Sequence, residues 1–163
     1  MSTSLDIQQI DTQQIIVLNQ PILRSIDQAE YDYVNRYIML AEDLIQNPGC
    51  RHMGVWSPDT DISCQEAENQ MKSMTAIIEG KTFQGRPATI EELSAYEVSF
   101  ADSLGNIILV ALDEVIVVGR RHYSAYRNNT ASKRELRLGN RADGWPKGFS
   151  FLVVFEEVTP DQV

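Results

Sequence analysis

Cysteine and histidine are scarce in this chain, two of each among 163 residues. Cys50 and Cys64 are too few for a disulfide framework, and in a reducing compartment they remain thiols whose first role is packing. With only His52 and His122 present, any histidine-dependent chemistry has to use one of those two rings. Long apolar runs are missing as well: "IILVAL" and "VIVV" fall far short of the ~20 residues that span a bilayer. The opening "MSTSLDIQQIDTQQ" has neither the positive start nor the apolar stretch of a secretory signal. A cytoplasmic protein with no membrane segment is therefore expected, and the sequon at Asn128 is incidental. There is no Gly-rich phosphate fingerprint, no P-loop, no H-E-x-x-H and no paired C-x-x-C, so no cofactor and no metal is implied. "CRH" at 50–52 and Cys64 bring two thiols and an imidazole to one stretch, but at a spacing that matches no common zinc site.

What remains is the composition of an ordinary globular protein, 43% apolar and 23% charged. A chain of this length can bury roughly 70% of its unfolded surface in one core, so a single domain over 1–163 is expected. The β-branched run "QQIIVL" predicts a strand over Gln13–Leu18. Ser25 with Gln28 forms a capping-box pattern, "NPG" at 47–49 supplies a stop, and apolar residues from Ile26 to Ile45 recur at helical spacing; these predict one long helix. A loop carrying a short strand is expected from Gly49 to Thr60. Ser63 with Glu66 opens a second helix that closes at Gly80, with Ala67, Met71, Met74 and Ile78 on one stripe. "KTFQGRP" reads as a linker, and Thr89 with Glu92 starts a third, short helix. Tyr96, Val98 and Phe100 alternate with Glu97, Ser99 and Ala101, which favours a strand turned back at "SLGN"; continuation of the helix to Ser103 with Gly105 as its cap is the other reading. "VIVVGRRHY" and "FSFLVVFEEV" complete the strands. The expected fold is α+β: a mainly antiparallel sheet of about five strands, covered by two main helices and one short helix.

Charge is distributed unevenly. Eight of the 14 Lys and Arg residues fall between 118 and 148, against only Glu135 and Asp143, so this window carries +6 in a chain of net charge −9. Arg120, Arg121, Arg127, Arg134, Arg137, Arg141 and Lys147 supply cations, and Tyr123, Tyr126 and Trp145 are interleaved with them. Guanidinium forks beside aromatic rings suit a phosphate or carboxylate attached to a planar group. If 115–127 is one extended strand, each of its faces begins apolar and ends cationic beyond Gly119. The leading expectation is a binding protein for a small anionic ligand, nucleotide-like or phosphorylated, held by a basic aromatic rim over 119–147. An enzyme acting on the same kind of ligand would use His122 as general base. The remaining acidic surface suggests another role, an interaction or inhibitor module that occupies a basic protein partner. The same acidity repels a polyanion, so nucleic acid is not expected as a partner. Complementary basic and acidic regions fit a homo-oligomer.

Overall fold

A computed structural model of the chain describes residues 12–17, 22–39, 49–130 and 133–158. Among these residues nine strands join one mixed sheet, accompanied by four α-helices. The organising strand is the last, β9 (Phe149–Glu157). Its run "FSFLVVF" is apolar at almost every position, the pattern of a strand covered on both faces. Leu152 and Val154 enter one core cluster, whereas Phe151, Val153 and Phe155 enter another. The period of two along a strand thus divides the core into two layers on opposite sides of the sheet.

β9 pairs antiparallel with β3 (Gly49–Trp56) on one side. On the other it pairs in parallel with the start of β6 (Ile108–Val118) and antiparallel with β5 (Lys81–Pro87). β1 (Gln13–Val17) lies outside β3, while β6 continues through β7 (Arg121–Thr130) and β8 (Lys133–Asn140) to the two-residue strand β2 (Tyr33–Val34). β4 (Thr75–Ile78) forms a hairpin with β5. The longest helix, α4 (Ile90–Leu104), covers one face together with α1 (Ile22–Gln28). The shorter α3 (Cys64–Lys72) contributes Ala67 and Met71 to the other face.

The five-strand, mainly antiparallel expectation is therefore corrected to a larger mixed sheet, and four segments account for the difference. The predicted long helix stops early. α1 ends at Gln28, Glu30 has φ +54, and Tyr33–Val34 run parallel to β8 before the single turn of α2 (Arg36–Met39). Asp32 N–H donates to Arg134 O at 2.7 Å, and Asn35 N–H to Leu136 O at 2.9 Å. These tertiary bonds replace the helical ones that the apolar spacing suggested; residues 40–48 lie outside the described residues. The second helix ends at Lys72, and its expected tail and the expected linker are instead the β4–β5 hairpin. The short strand expected after Gly49 is the eight-residue β3.

Residues 96–103 are helical apart from a kink at Phe100, whose φ is −132. Two of the three capping boxes read from sequence are made, whereas Ser25, read as the third cap, lies inside α1 rather than at its start: Glu92 N–H donates to Thr89 Oγ1 at 3.1 Å, and Thr89 N–H returns a bond to Glu92 Oε1 at 2.9 Å. The equivalent pair joins Ser63 and Glu66. The alternation around Tyr96 misled because Glu97, counted there as a solvent-facing residue, is fully buried, whereas Val98 is 53% exposed. Glu97 is drawn inward by Arg127: Arg127 Nε donates to Glu97 Oε1 at 2.8 Å, and its Nη1 donates to the carbonyls of Gly105 and Ile107 at 2.7 and 2.9 Å. One guanidinium thereby ties the end of α4 to the sheet.

Candidate functional site

Residues 115–127 are not one continuous strand. β6 ends at Val118 and the chain reverses through Gly119 and Arg120 into β7. Gly119 has φ +64 and Arg120 does not share the positive φ. That combination belongs to a two-residue primed turn with glycine first, whose twist matches paired strands. Val117 lies opposite His122, and Ile116 and Val118 lie opposite Tyr123 and Arg121. The two faces deduced for an unbroken strand are accordingly rearranged: His122 shares its face with Val117, while Arg121 and Tyr123 share theirs with Ile116.

β7 then pairs with β8 so that Tyr123 faces Asn140. This register carries the 3-10 turn Arg141–Asp143 back beside the β6–β7 turn. Between the two turns lies an open concavity of about 640 Å³, lined by Arg120, Arg121, His122, Asn140, Arg141, Ala142 and Asp143. Arg120, Arg121 and His122 are exposed, and none has a side-chain partner among the described residues. Arg141 is fixed. Its Nη1 donates to Leu112 O at 3.0 Å and to Ser124 Oγ at 2.6 Å, while Nη2 meets Glu68 Oε1 at 2.7 Å. It closes the wall of the concavity and anchors an irregular stretch of β6, where the register with β7 shifts between Ala111 and Ile116.

The other sequence candidates lie elsewhere. Arg127 is the buried partner of Glu97. Arg134 approaches Glu97 and Glu30 at 3.6 and 3.8 Å. Arg137 pairs with Glu135 at 3.0 Å and sits over the ring of Tyr33. Tyr126 and Trp145 pack with Phe149 and Phe151 in the core, and Trp145 Nε1 donates to Cys64 Sγ at 3.1 Å. Tyr123 is half-buried on the opposite face of β7 from His122. Lys147 is exposed outside the concavity lining, its backbone N–H donating to Asp61 Oδ1 at 2.8 Å. Asn140 and Asp143 belong to the concavity but were not singled out in the sequence. The only available signal was the turn-rich "GNRADG", which does not say which strand it returns to.

The irregular stretch of β6 has its own electrostatics. It directs Glu114 at the start of α4, where Glu114 Oε1 accepts from Ile90 N–H at 2.6 Å. Burial pushes the Glu114 carboxyl up to about 7; the Ile90 N–H opposes this, and Asp113, Glu91 and Glu92 reinforce it. Glu92 is shifted the other way. Burial would raise it, but the fork of Arg86 at 2.9 and 2.6 Å, the Thr89 N–H and Arg51 together hold it below the usual carboxylate range. Cys50 and His52 share one face of β3 by the period of two and line a separate cavity of about 470 Å³. Cys64 is not among the residues lining that cavity; its Sγ donates to Arg141 O at 3.5 Å. Among the described residues no group of three His, Cys, Asp or Glu side chains is arranged to hold a metal ion, and no helix is long and apolar enough to cross a membrane.

No family model, curated protein or solved structure matches this chain.

Proposed function

We propose that the protein is a cytoplasmic binding protein for a small phosphorylated ligand, and that its site is the concavity between the β6–β7 turn and the 3-10 turn. The observation that carries this reading is the pair of exposed arginines, Arg120 and Arg121, next to His122 on a fixed wall formed by Arg141. Two unengaged guanidinium forks offer paired N–H donors to phosphate oxygens. The imidazole adds a further donor, and Arg141, held by Leu112, Ser124 and Glu68, forms a wall that need not rearrange. A volume of about 640 Å³ lies within the usual range for small-molecule sites. The chain as a whole is acidic, so a small anion suffers less repulsion than a long polyanion would.

Isothermal titration at low salt with inorganic phosphate and with ribose 5-phosphate tests the reading. The double variant Arg120→Ala/Arg121→Ala is expected to weaken both by at least tenfold, since charge-assisted hydrogen bonds contribute about 1.5–3 kcal/mol each. Its thermal midpoint should match the parent because neither side chain has a partner to lose. Arg137→Ala, a cation outside the concavity, should bind as the parent does. Equal losses in the double variant and in Arg137→Ala would reduce the effect to net charge and end the assignment.

A further inference from the structure

The concavity is not uniformly cationic. Asp143 is exposed on its lining, and among the described residues this carboxylate has neither an ion pair nor a hydrogen bond. It lies in a cavity with three arginines yet within 4 Å of none of their nitrogens, so it does not serve to neutralise them. For a site that held only phosphate, a bare carboxylate would be a cost, because like charge opposes the ligand.

Its placement is also firmly built. On one side, Asn140 Oδ1 accepts from Ala142 N–H at 3.0 Å and shapes the 3-10 turn. On the other, Trp145 and Ile62 exchange backbone bonds at 2.8 and 2.9 Å. Arg141, the first residue of the turn, is held by Leu112, Ser124 and Glu68. The backbone that presents Asp143 is therefore fixed by three neighbouring elements. Its carboxylate faces a lining whose other charges are positive.

We infer that the ligand is a phosphorylated polyol, whose phosphate meets Arg120 and Arg121 while neighbouring hydroxyls donate to the carboxylate of Asp143. The inference rests on the phosphate reading above and adds to it the chemistry of the other end of the ligand. Two carboxylate oxygens can accept from two adjacent hydroxyls, as acidic residues do with ribose diols. A neutral donor fits better than an ammonium group, which would share the cavity with three guanidinium groups and only one carboxylate. Asp143 is then a specificity-determining residue: it penalises bare phosphate and rewards a ligand that brings its own donors.

The test is titration of the full chain and of Asp143→Ala with inorganic phosphate, ribose 5-phosphate and phosphoethanolamine. In the parent, ribose 5-phosphate is expected to bind about tenfold tighter than inorganic phosphate, with phosphoethanolamine no better than phosphate. In Asp143→Ala the sugar phosphate should fall to the level of phosphate, while phosphate itself binds as well as before or better. The inference is overturned if the sugar gives no advantage in the parent, if Asp143→Ala strengthens all three probes alike, or if phosphoethanolamine binds best in an Asp143-dependent way. If phosphate binding depends on Arg120 and Arg121 and the sugar adds nothing, only this inference fails. If no probe binds, the phosphate reading fails with it.

Discussion

Glu114 illustrates how a single side chain can make stability depend on pH. Its carboxyl titrates near 4.5 when free and near 7 in the folded protein. Between those values the folded chain keeps a proton that the unfolded chain has released. Stability from this group is thus complete below about pH 4.5 and is lost as pH rises through 7. Glu114→Gln retains an oxygen to accept the Ile90 N–H and cannot ionise. The variant should be more stable than the parent at pH 8, by on the order of 1–3 kcal/mol, and the difference should vanish by pH 4; urea unfolding at both values measures it. A constant difference across that range would show that burial does not disfavour the ionised carboxylate. Glu92 acts in the opposite sense, since its lowered pKa adds stability that is lost in acid. The comparison must therefore be between variant and parent at each pH.

The strand β8 and the loop that crosses it depend on a missing side chain. A Cβ at Gly139 would lie 2.6 and 2.7 Å from ring atoms of Trp145. That ring is 3% exposed and enclosed by Tyr126, Phe149 and Phe151, so it has little room to yield. Gly139→Ala is expected to cost about 1–3 kcal/mol through overpacking, read as a lowered urea midpoint. Because Asp143 precedes Trp145 by two residues, the same substitution should also weaken ribose 5-phosphate binding more than phosphate binding. An unchanged midpoint would mean that the loop adjusts freely. The helix α4 shows a different dependence. Its start was readable from Thr89 and Glu92, but its continuation past Tyr96 to a cap at Gly105 was the less favoured of two readings, because alternation alone does not reveal that Glu97 has an arginine waiting for it across the core.

The layers are joined by that same pair. Arg127 and Glu97 are both fully buried, and they link α4 to the centre of the sheet through the carbonyls of Gly105 and Ile107. Arg127→Met leaves the buried Glu97 carboxylate only the longer approach of Arg134 at 3.6 Å, and a loss of about 3–5 kcal/mol is expected. Arg127→Met/Glu97→Leu removes both charges and should recover much of that loss, as unfolding midpoints of the two variants would show. If the double variant were as unstable as the single one, the bonds to Gly105 and Ile107 rather than the ion pair would be what holds the helix in place. The cationic window accordingly divides by fate. Arg127 is structural, Arg134 and Arg137 meet carboxylates, and Arg120, Arg121 and Arg141 surround the concavity.

Local chemistry was legible in the sequence: the capping boxes at Ser63 and Thr89, the apolar run of β9, the strand at Gln13 and the cluster of positive charge. Each depends on residues within a few positions of one another, where propensity and periodicity act directly. The pairing of β9 with β3, the inward turn of Glu97 toward Arg127 and the placement of Asp143 and Arg120 on one concavity bring together residues more than twenty positions apart. Sequence spacing carries no record of such distances. The long helix predicted from Ile26 fails for the same reason, since the backbone of β8 offers Asp32 and Asn35 bonds that no local pattern encodes. Which arginine is buried and which stays exposed on the concavity is likewise decided only when the layers close, because the desolvation that separates them does not exist in the unfolded chain.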